Sequence, residues 1–267
     1  MLLKSIYRKL GKKYFDIRFK KAKKNNRKYN RELQVSEIKK LFPSLKDQHL
    51  YFHHYFWNLA PTWLKDHRAY FSKEKRAFGE DAFHAMWYHI FKKFKPKKAL
   101  EIGVYRGSTL SLFSLLSQKF QLQTEVHGIS PFTSAGDAVS KYLDNLDYYT
   151  DVKNNFDYFN LPSPFLHKGF STEKAMLEII QSQQWDLIYI DGNHDYEVAK
   201  QDFNLCSQYI RKGGLIVLDD SSLYTDFKPP FYSTAGHPGP SKVASEIDPN
   251  TFEEILSVGH NRVFKKI

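Results

Sequence analysis

Residues 100–109 read LEIGVYRGST, and this stretch decides the fold. It follows the pattern of a buried strand, then Gly103 and Gly107, then a helix that begins near Ser108. In open α/β sheets, ligands bind beyond the carboxyl ends of the strands. Glycines at such an end permit a tight turn and close approach of a ligand, and the amides of the following helix point outward. The turn therefore predicts a ligand site.

Short apolar strands alternate with helices after this turn. They are continuous apolar runs, as expected for a parallel sheet covered on both faces. The predicted strands are residues 99–104, 126–130, 165–169, 185–191 and 214–220, and the predicted helices are 83–91, 108–120, 172–183 and 196–210. Residues 252–258 and 262–267, joined by Gly259-His260-Asn261, predict a terminal hairpin. We predict a doubly wound, mostly parallel, Rossmann-like α/β sheet with a C-terminal antiparallel hairpin, preceded by a helical N-terminal extension.

The chain divides by composition into three parts. Residues 1–33 form a basic amphipathic arm, residues 34–97 a helical extension rich in aromatic residues, and residues 98–267 the sheet domain. Of 40 Lys and Arg residues, 13 lie in residues 1–31 beside a single acid, which leaves 27 basic and 28 acidic residues elsewhere. The net charge of +11 therefore belongs to the arm. The arm is expected to dock on protein or to contact an anionic membrane surface, with nucleic acid as a less favoured third partner.

Cellular location is predicted from what the sequence does not contain. Cys206 is the single cysteine, which excludes an intrachain disulfide and a cysteine-rich zinc site. No apolar run approaches the roughly 18 residues of a membrane-spanning helix, and no secretion signal is apparent. A cytoplasmic protein, peripheral at the inner membrane surface if the arm binds lipid, is expected.

The spacing Glu101-x-Gly103-x-x-x-Gly107 differs from a dinucleotide fingerprint, which carries a third glycine. An acid before the first glycine suits a cationic amino-acid group better than a diphosphate. The motif resembles motif I of class I methyltransferases that depend on S-adenosylmethionine (SAM), and the resemblance covers roughly residues 80 to 267. It implies that residues 98–267 form a SAM-binding methyltransferase domain. It also implies contacts to the cofactor from Glu101, Gly103, Tyr105, Gly107, Ser108, Thr109 and Asp191.

The rest of the cofactor pocket is also assigned by this resemblance. Gly169-Phe170-Ser171 lies where related O-methyltransferases carry a turn beside the adenine, and a helix N-cap is the alternative interpretation. The family's second strand usually ends in an acid that binds the ribose hydroxyls, but here it ends in Ser130. Either Ser130 makes a weaker contact, or a nearby acid such as Asp137 replaces the missing carboxylate.

Two further strand ends carry carboxylates: Asp191 follows one strand, and the pair Asp219 and Asp220 follows the next. Carboxylates in one cleft repel each other unless a cation or proton intervenes, and an all-oxygen set favours Mg²⁺. The arrangement is similar to the metal-dependent O-methyltransferases of the catechol and macrolide-sugar types, which implies that these three residues bind Mg²⁺. By the same resemblance His194 is the predicted base, since an ordinary imidazole pKa near ~6.5 suits that role. Asp191 is the alternative base.

Two other features bear on the reaction site. Residues 224–242 are rich in proline and glycine and predict a substrate loop, in which His237 is a second-choice base. The histidines at 53, 54, 84 and 89 lack carboxylate or cysteine partners at ligand spacing, so structural roles are expected for them.

The leading hypothesis is a SAM- and Mg²⁺-dependent O-methyltransferase of a hydroxyl on a small molecule, sugar or glycan, active as a monomer or homo-oligomer. The sugar preference rests on family analogy. The alternative is a non-catalytic SAM-fold protein that uses its basic arm for membrane or partner contact. An NAD-dependent oxidoreductase is disfavoured by the glycine spacing.

Overall fold

A seven-stranded sheet forms the centre of the part of the chain that the computed structural model describes, namely residue 17, residues 27–140 and residues 142–267. The strand order is β3-β2-β1-β4-β5-β7-β6. The first five strands are parallel, and β7 runs antiparallel to both β5 and β6. The strands are β1 (Lys98–Ile102), β2 (Glu125–Ser130), β3 (Phe165–Lys168), β4 (Trp185–Ile190), β5 (Ile210–Leu218), β6 (Phe252–Val258) and β7 (Asn261–Lys266).

Helices cover both faces of the sheet. The N-terminal layer consists of α1 (Val35–Leu41), α2 (Leu45–Asn58), α3 (Thr62–Phe71) and α4 (Asp81–Phe94). The helices that follow β1 are α5 (Ser108–Phe120), α6 (Tyr148–Tyr158), α7 (Lys174–Gln181), α8 (Tyr196–Tyr209) and α9 (Pro238–Ser245). The predicted doubly wound sheet with a terminal hairpin and a helical N-terminal extension is confirmed. The division into three domains stays a prediction.

Alternation along the central strands supplies both halves of the core. Ala99 and Leu187 point to the face covered by the N-terminal layer, while Leu100 and Ile188 point to the opposite face. Each of these side chains is at most 1% exposed. The continuous apolar runs of the sequence are thus required, because neither face of these strands meets solvent.

Three elements differ from the sequence prediction by more than a shift of a few residues at their ends, by absence from the prediction or by an earlier start. Helix α6 lies in a segment without a predicted element, because its buried residues Tyr148, Val152 and Phe156 form only a narrow stripe. Strand β5 begins at Ile210 instead of residue 214. Helix α9 begins inside the predicted loop 224–242, where Pro238 takes a first-turn position that suits proline.

Predicted structural histidines lie inside the helical layer. His84 Nε2 lies 3.0 Å from His67 Nδ1, and the other ring nitrogen of His67 lies 3.0 Å from Ser111 Oγ. His89 Nδ1 lies 2.8 Å from the Ala85 carbonyl, and burial lowers the pKa of His89 to about 4. The contacts of the His67 ring thus join α3 to α4 and α5.

The predicted basic arm, residues 1–33, lies mostly outside the described residues. Within the described part of the chain, none of the helices combines the length and the apolar character that crossing a bilayer requires.

Candidate active site

The glycine turn joins β1 to α5 and lies against the end of β4. Gly103 has φ +95°, and a Cβ atom there would lie 1.9 Å from the carbonyl oxygen of Asp191. Gly107 immediately precedes the first residue of α5, and its φ of +74° lies in the left-handed region. A glycine is therefore needed at 103 because the main chain of the neighbouring strand end passes so closely, which brings Asp191 to the turn.

A cavity of about 340 Å³ opens above this turn. Seven predicted cofactor residues line it: Glu101, Gly103, Tyr105, Gly107, Ser108, Thr109 and Asp191. The Glu101 residue is 3% exposed, and its Oε2 atom has no hydrogen-bond partner among the described residues. Burial raises the pKa of Glu101 well above its ordinary value, although bonds from Leu110 and Thr109 act in the opposite direction. A buried carboxyl in need of a partner suits a cationic ligand group.

A smaller cavity of about 110 Å³ adjoins the first, with Gly103 and Gly192 in both linings. The remaining predicted cofactor residues line it: Ser130, Gly169, Phe170 and Ser171. Ser171 Oγ donates to Asp202 Oδ2 at 3.1 Å, and the residue that precedes α7 is Glu173. The alternative interpretation of Ser171 as a helix cap is therefore wrong.

Asp137 is engaged by His194. Its Oδ2 lies 2.6 Å from His194 Nδ1 and accepts the His194 backbone N–H at 2.7 Å, while Oδ1 accepts from Ser140. Burial opposes ionisation of Asp137, but these bonds hold its pKa well below the ordinary value. Asp137, one of the two candidates for the ribose contact, thus already binds His194. The hydroxyl of Ser130, the other candidate, has no such contact to a histidine among the described residues.

His194 lies between two carboxylates. Its Nε2 atom is 3.0 Å from Asp220 Oδ2, opposite the contact to Asp137. Burial lowers the pKa of His194, but the bonds to Asp220 and Asp137 outweigh this and raise it to about 9. The expected ordinary pKa is therefore wrong for this geometry, in which His194 carries a proton at neutral pH. His237, the second-choice base, packs on the His194 ring at 4.3 Å between centroids.

The three predicted metal carboxylates meet at the ends of β4 and β5. Burial and then the charge of Asp219 raise the pKa of Asp191 well above its ordinary value. Burial also raises the pKa of Asp219, whereas the hydrogen bond from His194 and the charge of His260 hold that of Asp220 low. The carboxylates therefore share a cleft in which one of them resists ionisation until a cation or proton is present.

His260 is a site residue that sequence reasoning missed. Its Nε2 lies 3.4 Å from Asp219 Oδ1 and its Nδ1 lies 3.5 Å from Asp220 Oδ1. Potential ligand atoms of His260, Asp219 and Asp220 lie within 4.8 Å of one another, a set that does not include Asp191. Its position follows from the hairpin: Leu218 of β5 pairs with Arg262 of β7, so the preceding turn lies beside the aspartates.

The described residues at this place fit a divalent cation. Asp219 Oδ1 and His260 Nδ1 are buried and have no hydrogen-bond partner in the described part of the chain. Two carboxylates suit Mg²⁺ or Mn²⁺, and the imidazole extends the range toward transition metals.

Comparison with known proteins supports the same class as the geometry. Residues 100–221 match the family model described as a methyltransferase domain. An uncharacterized protein of Acanthamoeba polyphaga mimivirus is 30% identical over 152 residues, which cover 55% of this chain and 59% of that protein. The chain thus aligns with little more than half of that relative's length.

Several solved structures share the fold. An O-methyltransferase from Bacillus cereus in complex with SAH has a TM-score of 0.54 at 14% identity, covering 84% of this chain and all of that one. The O-methyltransferase TomG from Streptomyces achromogenes in complex with SAM has 0.53 at 12%, covering 84% and 98%. A calicheamicin methyltransferase has 0.51 at 16%, covering 82% and 91%.

Residues 100–221 thus resemble a methyltransferase domain, and the described residues share the fold of the solved methyltransferases named above. The predicted resemblance is confirmed, with the methyltransferase domain of the family model starting at Leu100 and ending at Ser221. The domain match agrees with the methyltransferase part of the predicted enzyme class, and the neighbours share its fold.

Proposed function

We propose that this protein transfers a methyl group from SAM to a hydroxyl of a small molecule or sugar. One observation carries the proposal: the carboxyl of Glu101, whose Oε2 atom has no hydrogen-bond partner among the described residues, and the aspartates 191, 219 and 220 line one cavity. A cofactor pocket and a group of ionisable side chains able to handle a hydroxyl proton are thus contiguous.

The two cavities suit the two halves of SAM. The larger one offers Glu101 for the cationic amino group of the methionine part, with the N-terminal amides of α5 for its carboxylate. The smaller one offers Ser130 for the ribose and the exposed Phe170 ring for the adenine. This arrangement directs the reactive methyl toward the aspartates.

A divalent cation bound there, with Mg²⁺ as our proposal, would lower the pKa of the substrate hydroxyl and neutralise the carboxylates. Asp191, Asp219 and Asp220 are the proposed ligands, and His260 is an additional donor beside the last two. His260 also limits how far these two carboxylates can turn away from the cavity.

Asp191 and His194 are the proposed bases. The hydroxyl oxygen attacks the methyl carbon, the carbon–sulfur bond breaks, and the hydroxyl proton leaves to a base. Asp191 acts as a base only in its ionised form, and burial raises its pKa, which makes that carboxylate a stronger base. For His194 to act instead, it must first release one of the two ring protons that face Asp137 and Asp220.

The test is transfer of a radiolabelled methyl from SAM to a panel of diols and sugars. Asp219→Asn and Asp220→Asn are each expected to lower kcat/KM by about 100-fold or more, as loss of an electrostatic contact in an active site does. Asp226→Asn removes an exposed carboxylate from the same loop and should leave kcat/KM unchanged. Chelator should abolish methyl transfer and Mg²⁺ should restore it. Full activity in excess chelator would contradict the proposal that transfer requires a divalent cation.

The concentration of basic residues near the N-terminus favours a second candidate function. The 13 basic residues among the first 31 favour a non-catalytic SAM-fold protein that acts through its arm. If the three aspartate-to-alanine variants retain cellular function while deletion of residues 1–31 abolishes it, this second function replaces the first.

A further inference from the structure

A second cluster of metal-ligating side chains lies in the N-terminal helical layer. His49 and His53 are four residues apart in α2 and so lie on one face of the helix, and Glu80 precedes α4. Their side chains are 2%, 4% and 10% exposed. The sequence prediction of a structural role for His53 did not consider Glu80, because 27 residues separate the two.

Three atoms of this cluster converge on one point. Glu80 Oε2 lies 2.8 Å from His49 Nε2 and 3.1 Å from His53 Nε2, and the two nitrogens lie 3.1 Å apart. A tetrahedral zinc with bonds of about 2.0–2.1 Å separates its ligand atoms by about 3.3 Å. The triangle is thus close to the size that one small cation requires.

Protons alone do not satisfy this triangle. An imidazole nitrogen carries either a hydrogen or a lone pair, never both, and an ionised carboxylate only accepts. If both nitrogens are protonated, two hydrogens face each other; if one is, the other nitrogen presents a lone pair to Glu80. At least one of the three contacts is therefore unfavourable whenever Glu80 is ionised, and burial increases its cost. A central cation satisfies all three.

We propose that His49, His53 and Glu80 form a structural binding site for a zinc-class transition-metal ion, separate from the aspartates of the active site. Two nitrogens and one oxygen match a known zinc ligand set. The site joins α2 to the start of α4, and Ser233 Oγ donates to the other oxygen of Glu80. The ion thereby fixes the loop that carries Thr234 and His237 over the cavity.

The test measures zinc retained by the full-length protein in an Asp219→Asn/Asp220→Asn background, which removes two of the three active-site carboxylates. The protein is stripped with chelator, titrated with Zn²⁺ alone, and analysed by mass spectrometry of the metal. We expect one tightly held zinc per chain. Adding His49→Gln or His53→Gln should weaken binding by about 100-fold or more, since even indirect partners of a metal contribute 10–100-fold. His89→Gln, a buried histidine outside the cluster, should retain it.

Two measurements keep the test decisive if a variant folds poorly. In the background protein with an intact cluster, Co²⁺ should give the visible absorption of a four- or five-coordinate site. Zn²⁺ should also raise the melting temperature, because it binds the folded state. Absence of cobalt bands and of retained zinc would overturn the proposal. Glu80→Gln is a third variant of the cluster. The proposal would also be overturned if the His49, His53 and Glu80 variants retained as much zinc as His89→Gln. Failure of methyl transfer alone would leave this site standing.

Discussion

Asp202 of α8 lies behind the smaller cavity and is 2% exposed. Burial raises its pKa to about 6, although the hydrogen bond from Ser171 acts against the shift. The folded-state pKa lies above that of the unfolded chain. Its contribution to the free energy of unfolding is therefore full below about pH 4 and is lost as pH rises through about 6.

Asp202→Asn is expected to remove this pH dependence. The free energy of unfolding of the variant relative to the parent should rise by about 2–3 kcal/mol between pH 4 and pH 7. Urea titrations across this range provide the measurement. Asp66→Asn, at an exposed carboxylate, is the control variant. A constant difference between the Asp202 variant and its parent would contradict the assignment.

Gly103 decides whether β1 and β4 can approach at the active site. Gly103→Ala places a Cβ 1.9 Å from the Asp191 carbonyl oxygen at a positive φ. We expect a loss of about 2–4 kcal/mol of unfolding free energy from backbone strain and overpacking. Gly79→Ala is the matched control, since its Cβ would meet Phe83 at an ordinary 3.7 Å. Equal stability of the two variants in urea would show that the turn can relax.

The candidate site was partly predictable from single residues. Glu101, Gly103 and the aspartates could be found because they lie at strand ends, where chain order alone determines which edge of a parallel sheet they occupy. The charge of His194 could not be found, since it depends on Asp137, which is 57 residues earlier. His260 required the pairing of β7 with β5, which a hairpin motif does not specify.

At the scale of elements, α6 supports the glycine turn. Arg106 donates to both oxygens of Asp151 in α6, at 2.7 and 2.9 Å, and its other terminal nitrogen donates to the Glu74 carbonyl. The two ion-pair side chains are 8% and 16% exposed. A two-pronged pair of this kind is geometrically specific, so it anchors the turn between α6 and the N-terminal layer.

A double-mutant cycle tests this anchor. Arg106→Met and Asp151→Asn should each destabilise the protein, and their coupling energy should be about 1–3 kcal/mol because the pair is largely buried. Lys174 and Glu178 on α7 are 3.9 Å apart, 91% and 63% exposed, and supply the control cycle. That coupling should not exceed about 0.5 kcal/mol. Equal coupling energies in the two cycles would contradict the assignment that α6 anchors the glycine turn.

Element prediction succeeded where burial imposes a pattern. Helix α5 and strand β6 have the predicted bounds, because apolar residues dominate them. Helix α6 escaped prediction because Asn and Asp residues reduce its helix propensity, and Asp147 instead fixes its start by accepting the Thr150 N–H.

At the scale of the whole molecule, the sheet and both helical layers leave the active site at the carboxyl ends of β1, β4 and β5. The N-terminal layer contributes Ala77, Phe78 and Phe83 to the larger cavity. Residues before the part of the chain that the family model matches therefore line the cavity in which we propose that the substrate binds. The sequence suggested an extension there but not its contribution to the cavity.

Membrane contact by the basic arm stays a prediction. We expect the chain to bind vesicles that contain phosphatidylserine but not vesicles of phosphatidylcholine, with binding that weakens as salt rises. Changing Lys20, Lys21, Lys23 and Lys24 to glutamine should remove about 1 kcal/mol of binding per charge. Flotation at low and high salt measures this. No binding at low salt would instead favour docking on protein.

The central claim is that the cavity above Gly103 binds SAM, and titration calorimetry tests it most directly. We predict that SAM binds with one site per chain, that Glu101→Gln weakens the binding by about 10-fold or more through loss of a charge-assisted bond, and that NADH does not bind. Tight binding of NADH without binding of SAM would contradict the account.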